Sequence, residues 1–386
     1  MRRILILAGL CAFVFLLTTE RLIAIPAFAR KYDMSCNVCH SPVPKLKPFG
    51  EEFAANGFQL PDKEPPRFTR ETGDDKLVLM RELPLAIRMD GYARYRSNND
   101  PENDFQLPYI LKILSGGTIA KDVSYYFYFL FNERGDIAGV EDALLTFNDL
   151  WSTGVGLTVG QYQVSDPMFK RETRPTFEDY VIYKARPGNA KADLTYDRGA
   201  TLSATLPTET DAFFSILNGN GIGSGAGSFD KDPYKNFFFR LAQLLDSTFL
   251  VGGFAYLGKE RAGPGLTNRT TMFGGDASFQ IGKFELAGQF LFRGDSDPFF
   301  LAGKDSAFKT RGGFLQLAFS PELDRSTWYL FLLYNRVSSD DAALDYHSVA
   351  GNFSYILARN LKIMGEYAYD LERKSHAVTV GFVTAF

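Results

Sequence analysis

Lys283-Phe284-Glu285-Leu286-Ala287-Gly288-Gln289-Phe290-Leu291-Phe292-Arg293 alternates with period two. Phe284, Leu286, Gly288, Phe290 and Phe292 share one face, against Lys283, Glu285, Ala287, Gln289 and Arg293 on the other. Two further stretches repeat the pattern. Leu361, Ile363, Tyr367, Tyr369 and Leu371 oppose Lys362, Met364, Glu366 and Asp370, and Val123, Tyr125, Phe127, Phe129 and Phe131 oppose Ser124, Tyr126 and Tyr128. Strands of about ten residues, apolar toward lipid and polar toward a lumen, mark a transmembrane barrel.

Outward from these stretches the same reading gives strands at 84–97, 106–115, 122–132, 138–148, 153–163, 198–206, 211–218, 235–244, 247–257, 270–281, 283–293, 308–319, 327–338, 346–357, 360–371 and 375–386. The expectation is an all-β fold, a 16-stranded antiparallel outer-membrane porin-like barrel over residues 83–386. An even number of strands returns the chain to the side where it began. Gln280-Ile281-Gly282-Lys283 and Ala358-Arg359-Asn360 read as tight turns on one side, the periplasmic one. The other side carries the long connections 164–197, 219–234 and 294–307, rich in Gly, Asp and Pro. The longest, Val164 to Asp197, joins the fifth and sixth strands. In sixteen-stranded porins the loop at that place enters the lumen, and a loop lying on the surface is the alternative.

Composition agrees with a membrane barrel: 36 Phe, 19 Tyr and 35 Gly stand beside only 3 Cys in 386 residues. A net charge of −3 leaves no electrostatic footprint for nucleic acid, so outer-membrane lipid is the expected surrounding. After Ala29 no stretch is long and apolar enough for a transmembrane helix. Residues 375–386 close on Phe386, similar to the insertion signal of bacterial outer-membrane barrels. At the other end Arg2 and Arg3 precede the apolar run Ile4 to Leu17, about fourteen residues and too short to span a bilayer. Residues 1–29 therefore read as an export signal cleaved near 24–29, with Cys11 removed. A retained membrane anchor is the competing reading.

Chemistry is concentrated in Cys36-Asn37-Val38-Cys39-His40. Two thiols three positions apart can each add to one haem vinyl group, and the adjacent imidazole is carried under the iron as proximal ligand. One covalent haem c is therefore expected, with Cys36, Cys39 and His40 binding it. A zinc site wants four ligands, and no further Cys follows Cys39. A redox dithiol wants a βαβ context that this sequence lacks, and a Cys36–Cys39 disulfide would close a very small loop.

Residues 30–82 form the expected monohaem segment, proline-rich, with one short helix between Phe49 and Gly57. Such a short piece is marginal as an independent fold and is expected to lean on its haem and the barrel wall. For the sixth iron ligand Met34 lies too close to Cys36, and Met89, His347 and His376 share parity with outward-facing residues. Met80, Met168, Met272 and Met364 remain, with Met80 placed first because it is nearest to the segment in sequence. A Met ligand raises the haem potential. The apolar band of a barrel is about 25 Å tall, which one haem held in the lumen would divide. The segment is therefore expected to plug or cap the lumen from the periplasmic side. An extracellular donor would meet the outer mouth, and a periplasmic c-type cytochrome would dock at the inner one.

The run Phe28-Ala29-Arg30, Cys36-x-x-Cys39-His40, Pro44-x-Leu46, Phe49-Gly50, Phe53 and Asn56-Gly57-Phe58 resembles the fused outer-membrane monohaem cytochrome c–porin family of iron-oxidising bacteria. The close similarity covers roughly residues 24–60, and beyond it the architecture alone is similar. The resemblance implies haem-binding roles for Cys36, Cys39 and His40, and Fe(II) outside the cell as electron donor. In that loose sense the chain would be a ferrous-iron-oxidising cytochrome. A diffusion channel or specific porin, in which the haem is a structural or redox-sensing plug, is the alternative. A haem enzyme acting on a small molecule ranks behind both, because no acid–base histidine stands near His40.

Overall fold

The alternating stretches become the staves of a closed antiparallel barrel in the computed structural model, which describes residues 27–386 except 61–68, 71, 75, 82, 98–100, 224–228, 247 and 302–306. The expected export signal, apart from residues 27–29, lies outside the described residues. The first eight strands are β1 (Leu85–Ser97), β2 (Glu102–Ala120), β3 (Val123–Glu133), β4 (Gly139–Phe147), β5 (Val155–Gln163), β6 (Tyr196–Thr205), β7 (Thr210–Leu217) and β8 (Asn236–Asp246). The second eight are β9 (Phe249–Gly263), β10 (Leu266–Ile281), β11 (Phe284–Asp295), β12 (Phe308–Phe319), β13 (Trp328–Ser339), β14 (Tyr346–Ala358), β15 (Leu361–Asp370) and β16 (Ser375–Ala385). Each strand pairs with its neighbours in sequence, and β16 closes onto β1, with Val380 opposite Ala93. The sixteen strands fall where the alternation puts them. Three reach further than expected, because backbone pairing continues past the apolar belt into polar hairpin tips. β2 runs from Glu102, β9 extends through Lys259-Glu260-Arg261, and β10 begins at Leu266.

Parity is preserved as well. Phe290 and Phe292 are 46% and 42% exposed on the outside, whereas Gln289 and Arg293 are 5% and 3% exposed inside. Leu286, Leu330, Leu332, Phe353, Ile363 and Val380 continue the outer apolar surface. A continuous apolar belt of this kind is a liability in water and is stabilising against hydrocarbon. Tight connections such as Gly282, in left-handed conformation (φ +52°), lie at one end of the barrel; the long connections lie at the other.

The connection 164–195 enters the lumen rather than lying on the surface. It crosses from β5 to the far wall, and inward-facing strand side chains take up its backbone groups. Glu366 accepts the Phe177 and Glu178 amides at 2.7 and 2.8 Å, and Asn335 Nδ2 donates to the Asp179 carbonyl at 3.0 Å. Arg293 Nη1 donates to the Ala185 and Ala192 carbonyls at 3.0 and 2.6 Å. Tyr180 stacks on Phe314 with centroids 4.0 Å apart and donates to Gln316 at 2.9 Å. Ile182, Tyr183 and Leu194 join Phe238, Tyr256, Met272 and Leu333 in a buried apolar core inside the barrel. A buried loop must find partners for its backbone groups. Here strand side chains supply some of them, while bonds within the loop, such as Leu194 N to the Tyr183 carbonyl at 3.1 Å, supply others.

Residues 27–60 lie at the short-turn end. They form α1 (Ala27–Tyr32), α2 (Cys36–Cys39) and α3 (Pro48–Ala55). Pro48 begins α3, where its missing N–H costs nothing, and Asn56 caps the end. Gly57 then turns the chain at φ +63°, and a Cβ there would stand 1.9 Å from Ser124 Oγ of the wall. Only glycine meets both demands. Phe53 packs among Phe28, Tyr32 and Phe58, and Phe58 stacks on inward-facing Tyr126 with centroids 4.4 Å apart.

Candidate functional site

Cys36 and Cys39 stand at the two ends of α2, a single helical turn, both half-buried and neither in a disulfide. Three residues of helix carry the two thiols to one side of the turn. His40 ends the turn, its amide donating to the Cys36 carbonyl at 2.9 Å. The chain then folds back: Lys47 N donates to the Cys39 carbonyl at 2.8 Å, and Lys47 Nζ donates to the Asn37 carbonyl at 3.0 Å. Gly50 of α3 passes so close that a Cβ would meet the Cys39 carbonyl oxygen at 2.4 Å.

His40 Nδ1 lies 2.9 Å from the Pro44 carbonyl oxygen. A carbonyl only accepts, so Nδ1 carries the proton and Nε2 keeps its lone pair. Burial lowers the His40 pKa, which keeps the imidazole neutral and able to ligate. Burial also raises both thiols above their ordinary range, disfavouring thiolate and disulfide exchange. Two reduced thiols and a neutral imidazole oriented through its second nitrogen are the donor set that a c-type haem requires. The residues fit the group.

The turn is fastened to the barrel by charge. Lys45 Nζ lies 2.5 Å from a Glu285 carboxylate oxygen of β11, and Lys47 pairs with Asp324 in the β12–β13 connection. Ser41 Oγ lies 3.4 Å from the Tyr329 hydroxyl of β13. On the opposite side Phe28 approaches Gly116 of β2, and Phe58 covers Tyr126 of β3. The segment thus reaches across the short-turn mouth between the β2–β3 and β11–β13 walls.

The methionines separate clearly. Met80 pairs with Thr69 in a two-residue ladder, and its sulfur lies against Gly117 on the face that carries outward Tyr125, away from the lumen. Met272 belongs to the apolar core around the inward loop, and Met168 packs on it, its sulfur 3.6 Å from Gln289 Nε2. Met364 faces inward and lines a cavity together with Pro44, Arg88, Lys362 and residues 172 and 174–177 of the loop. His347 sits beside Arg336, and His376 pairs with Tyr367, both on the outer side.

Sequence reasoning did not find Arg88, Asp90, Arg174 and Lys362 around that cavity, nor the Lys45–Glu285 tie. Their inward parity was a readable signal for Arg88 and Lys362; their meeting with a loop some 85 to 190 positions away was not. In the loop, Asp179 is buried, which alone would raise its carboxyl, yet Arg174, Arg171 and Lys184 hold it well below the usual carboxylate range.

The class is thereby defined: a sixteen-stranded porin-like barrel with one loop folded into its lumen. No family model and no curated protein matches the sequence. Among solved structures the chain is similar to an anion-selective porin from Comamonas acidovorans at 12% identity and a TM-score of 0.60, covering 79% of this chain and 99% of that one. It is similar to Salmonella typhi OmpF, solved with daunomycin, at 12% identity and a TM-score of 0.58, covering 81% and 98%. The outer membrane channel DcaP of Acinetobacter baumannii aligns at 15% identity and a TM-score of 0.55, covering 79% and 97%. At these identities the likeness is one of fold.

Proposed function

We propose that this chain resides in the bacterial outer membrane and carries electrons between an extracellular donor and a periplasmic c-type cytochrome through one covalent haem c. The observation that carries the reading is the Cys36–Cys39 turn, its thiols outside any disulfide, with the His40 Nδ1 proton held by the Pro44 carbonyl, at the short-turn mouth of a barrel. Cys36 and Cys39 would hold the haem through thioethers, and His40 would be its proximal ligand. Bound there, it supplies a one-electron carrier. The Pro44 carbonyl fixes the imidazole, while the Lys45–Glu285 and Phe58–Tyr126 contacts hold the turn against the wall. Met364 is placed ahead of Met80 as candidate for the sixth ligand, because it lines a cavity together with Pro44, whose carbonyl holds His40. Fe(II) as donor rests on the resemblance of residues 24–60 to the cytochrome–porins of iron oxidisers.

The deciding experiment is the visible spectrum of outer-membrane fractions under anaerobic conditions, before and after Fe(II), with Cys36→Ala alongside. Reduced c-haem bands appearing on Fe(II) addition and absent from the mutant support the whole reading. Bands raised by dithionite but not by Fe(II) leave an electron carrier with another donor. No haem at all leaves the second reading, a diffusion channel closed or narrowed by its N-terminal segment, which the porin fold favours. Passage of small sugars into holoprotein liposomes at open-porin rates would also overturn the plug.

A further inference from the structure

A cavity of about 30 Å³ lies where the N-terminal segment meets the inward loop, lined by Pro44, Arg88, Arg174, Phe177, Lys362 and Met364 among others. We propose that it is an anion site for a carboxylate group. Lys362 is 1% exposed, and its Nζ donates to the Pro175 carbonyl at 3.2 Å with no carboxylate within 4.0 Å among the described residues. Arg174 donates Nη1 to the Arg171 carbonyl at 2.7 Å and Nη2 to the Phe177 carbonyl at 3.4 Å. Its Nε has no hydrogen-bond partner, the nearest Asp179 oxygen standing 3.8 Å away. Arg88 is already matched, donating to Asp90 at 2.9 and 2.7 Å and to the Glu172 carbonyl at 3.0 Å.

Three cations therefore line the cavity against two carboxylates, Asp90 and Glu172, and Glu172 is shared with Lys112 at 3.3 Å. Arg174 has Asp179 as counter-charge, whereas buried Lys362 has none at that range among the described residues. Such a cation is costly, and an anion seated against Lys362, within reach of the unpartnered Arg174 Nε, offsets that cost. The space holds a carboxylate head or a few waters and excludes a bulky anion. Two sources offer the same chemistry: a small free carboxylate in the lumen, or a propionate of the haem. The second rests on the functional reading above, through Pro44, which both lines the cavity and holds His40.

The test uses full-length holoprotein in detergent, titrated with sodium formate against sodium gluconate, which is too large for the cavity. Lys362→Met and Lys362→Arg are measured in parallel. A free-carboxylate site predicts a rise in melting temperature on the order of 2 °C with formate. That rise is kept in Lys362→Arg and absent from Lys362→Met. A propionate site predicts no response to formate. Instead Lys362→Met lowers the haem midpoint potential, because losing a nearby cation favours the ferric state, and shifts the propionate-bending band in resonance Raman; Lys362→Arg restores both. Neither response in any variant overturns the anion site. Protein that carries no haem defeats the functional reading alone, and the formate arm still decides this one.

Discussion

Lys45 and Glu285, 240 residues apart, meet at 2.5 Å and join the cysteine-bearing turn to the β11 wall. Both side chains are under a third exposed, so salt screens the pair less than it would a fully exposed one. Lys45→Glu is therefore expected to loosen the turn, with Phe53, Phe58 and the barrel unchanged. Planar-bilayer recordings should show longer open times, and the swapped pair Lys45→Glu/Glu285→Lys should return them toward wild type. An unaltered recording in Lys45→Glu would mean that aromatic packing alone holds the segment.

One carboxylate takes up two adjacent amides of the inward loop. Glu366 accepts the Phe177 and Glu178 amides and Asn352 Nδ2 at 2.9 Å. Glu366→Gln replaces one acceptor oxygen with an NH2 group that faces a donor, at a cost of about 1–3 kcal/mol to loop docking. Limited proteolysis within residues 164–195 should accelerate, while heat modifiability of the barrel on gels stays as in wild type.

Asp179 gives the loop a pH dependence. Its folded pKa lies well below the ordinary 3.8 because Arg174, Arg171 and Lys184 surround it despite its burial. A depressed carboxylate contributes stability that is fully present above the unfolded pKa and lost as pH falls through the folded one. Loop protection from protease should thus be constant from neutral pH down to about 4 and fall only below it. Asp179→Asn should remove the contribution at neutral pH, leaving Arg171 buried without its carboxylate partner. Loss of protection already at pH 6 in the native chain would contradict this.

Parity on β11 makes a direct test of the membrane face. Phe290, 46% exposed and central in the strand, should tolerate Leu and resist Arg, which costs about 2–4 kcal/mol at the bilayer midplane. Gln289→Leu, one residue away, should instead disturb Tyr183, which donates to it inside the barrel. Urea unfolding in lipid vesicles distinguishes the two. Equal penalties for Phe290→Arg and Phe290→Leu would show that the wall has no lipid face there.

Much of this protein was legible in its residues. Period-two alternation such as that of 283–293 fixed the number and order of the strands, because one face meets hydrocarbon and the other does not. The spacing of Cys36, Cys39 and His40 likewise singled out the candidate site, because one helical turn suffices to bring those groups together.

Tertiary structure alone decided what fills the barrel. Whether 164–195 lies outside or inside depends on partners for its amides, and Glu366, Arg293 and Asn335 come from strands far away in sequence. Met80 was nearest to His40 along the chain and lies beside outward Tyr125, whereas Met364 was distant and shares a cavity with Pro44. Alternation states which way a side chain points. It does not state what stands opposite, because barrel closure sets those distances and they carry no periodicity along the chain.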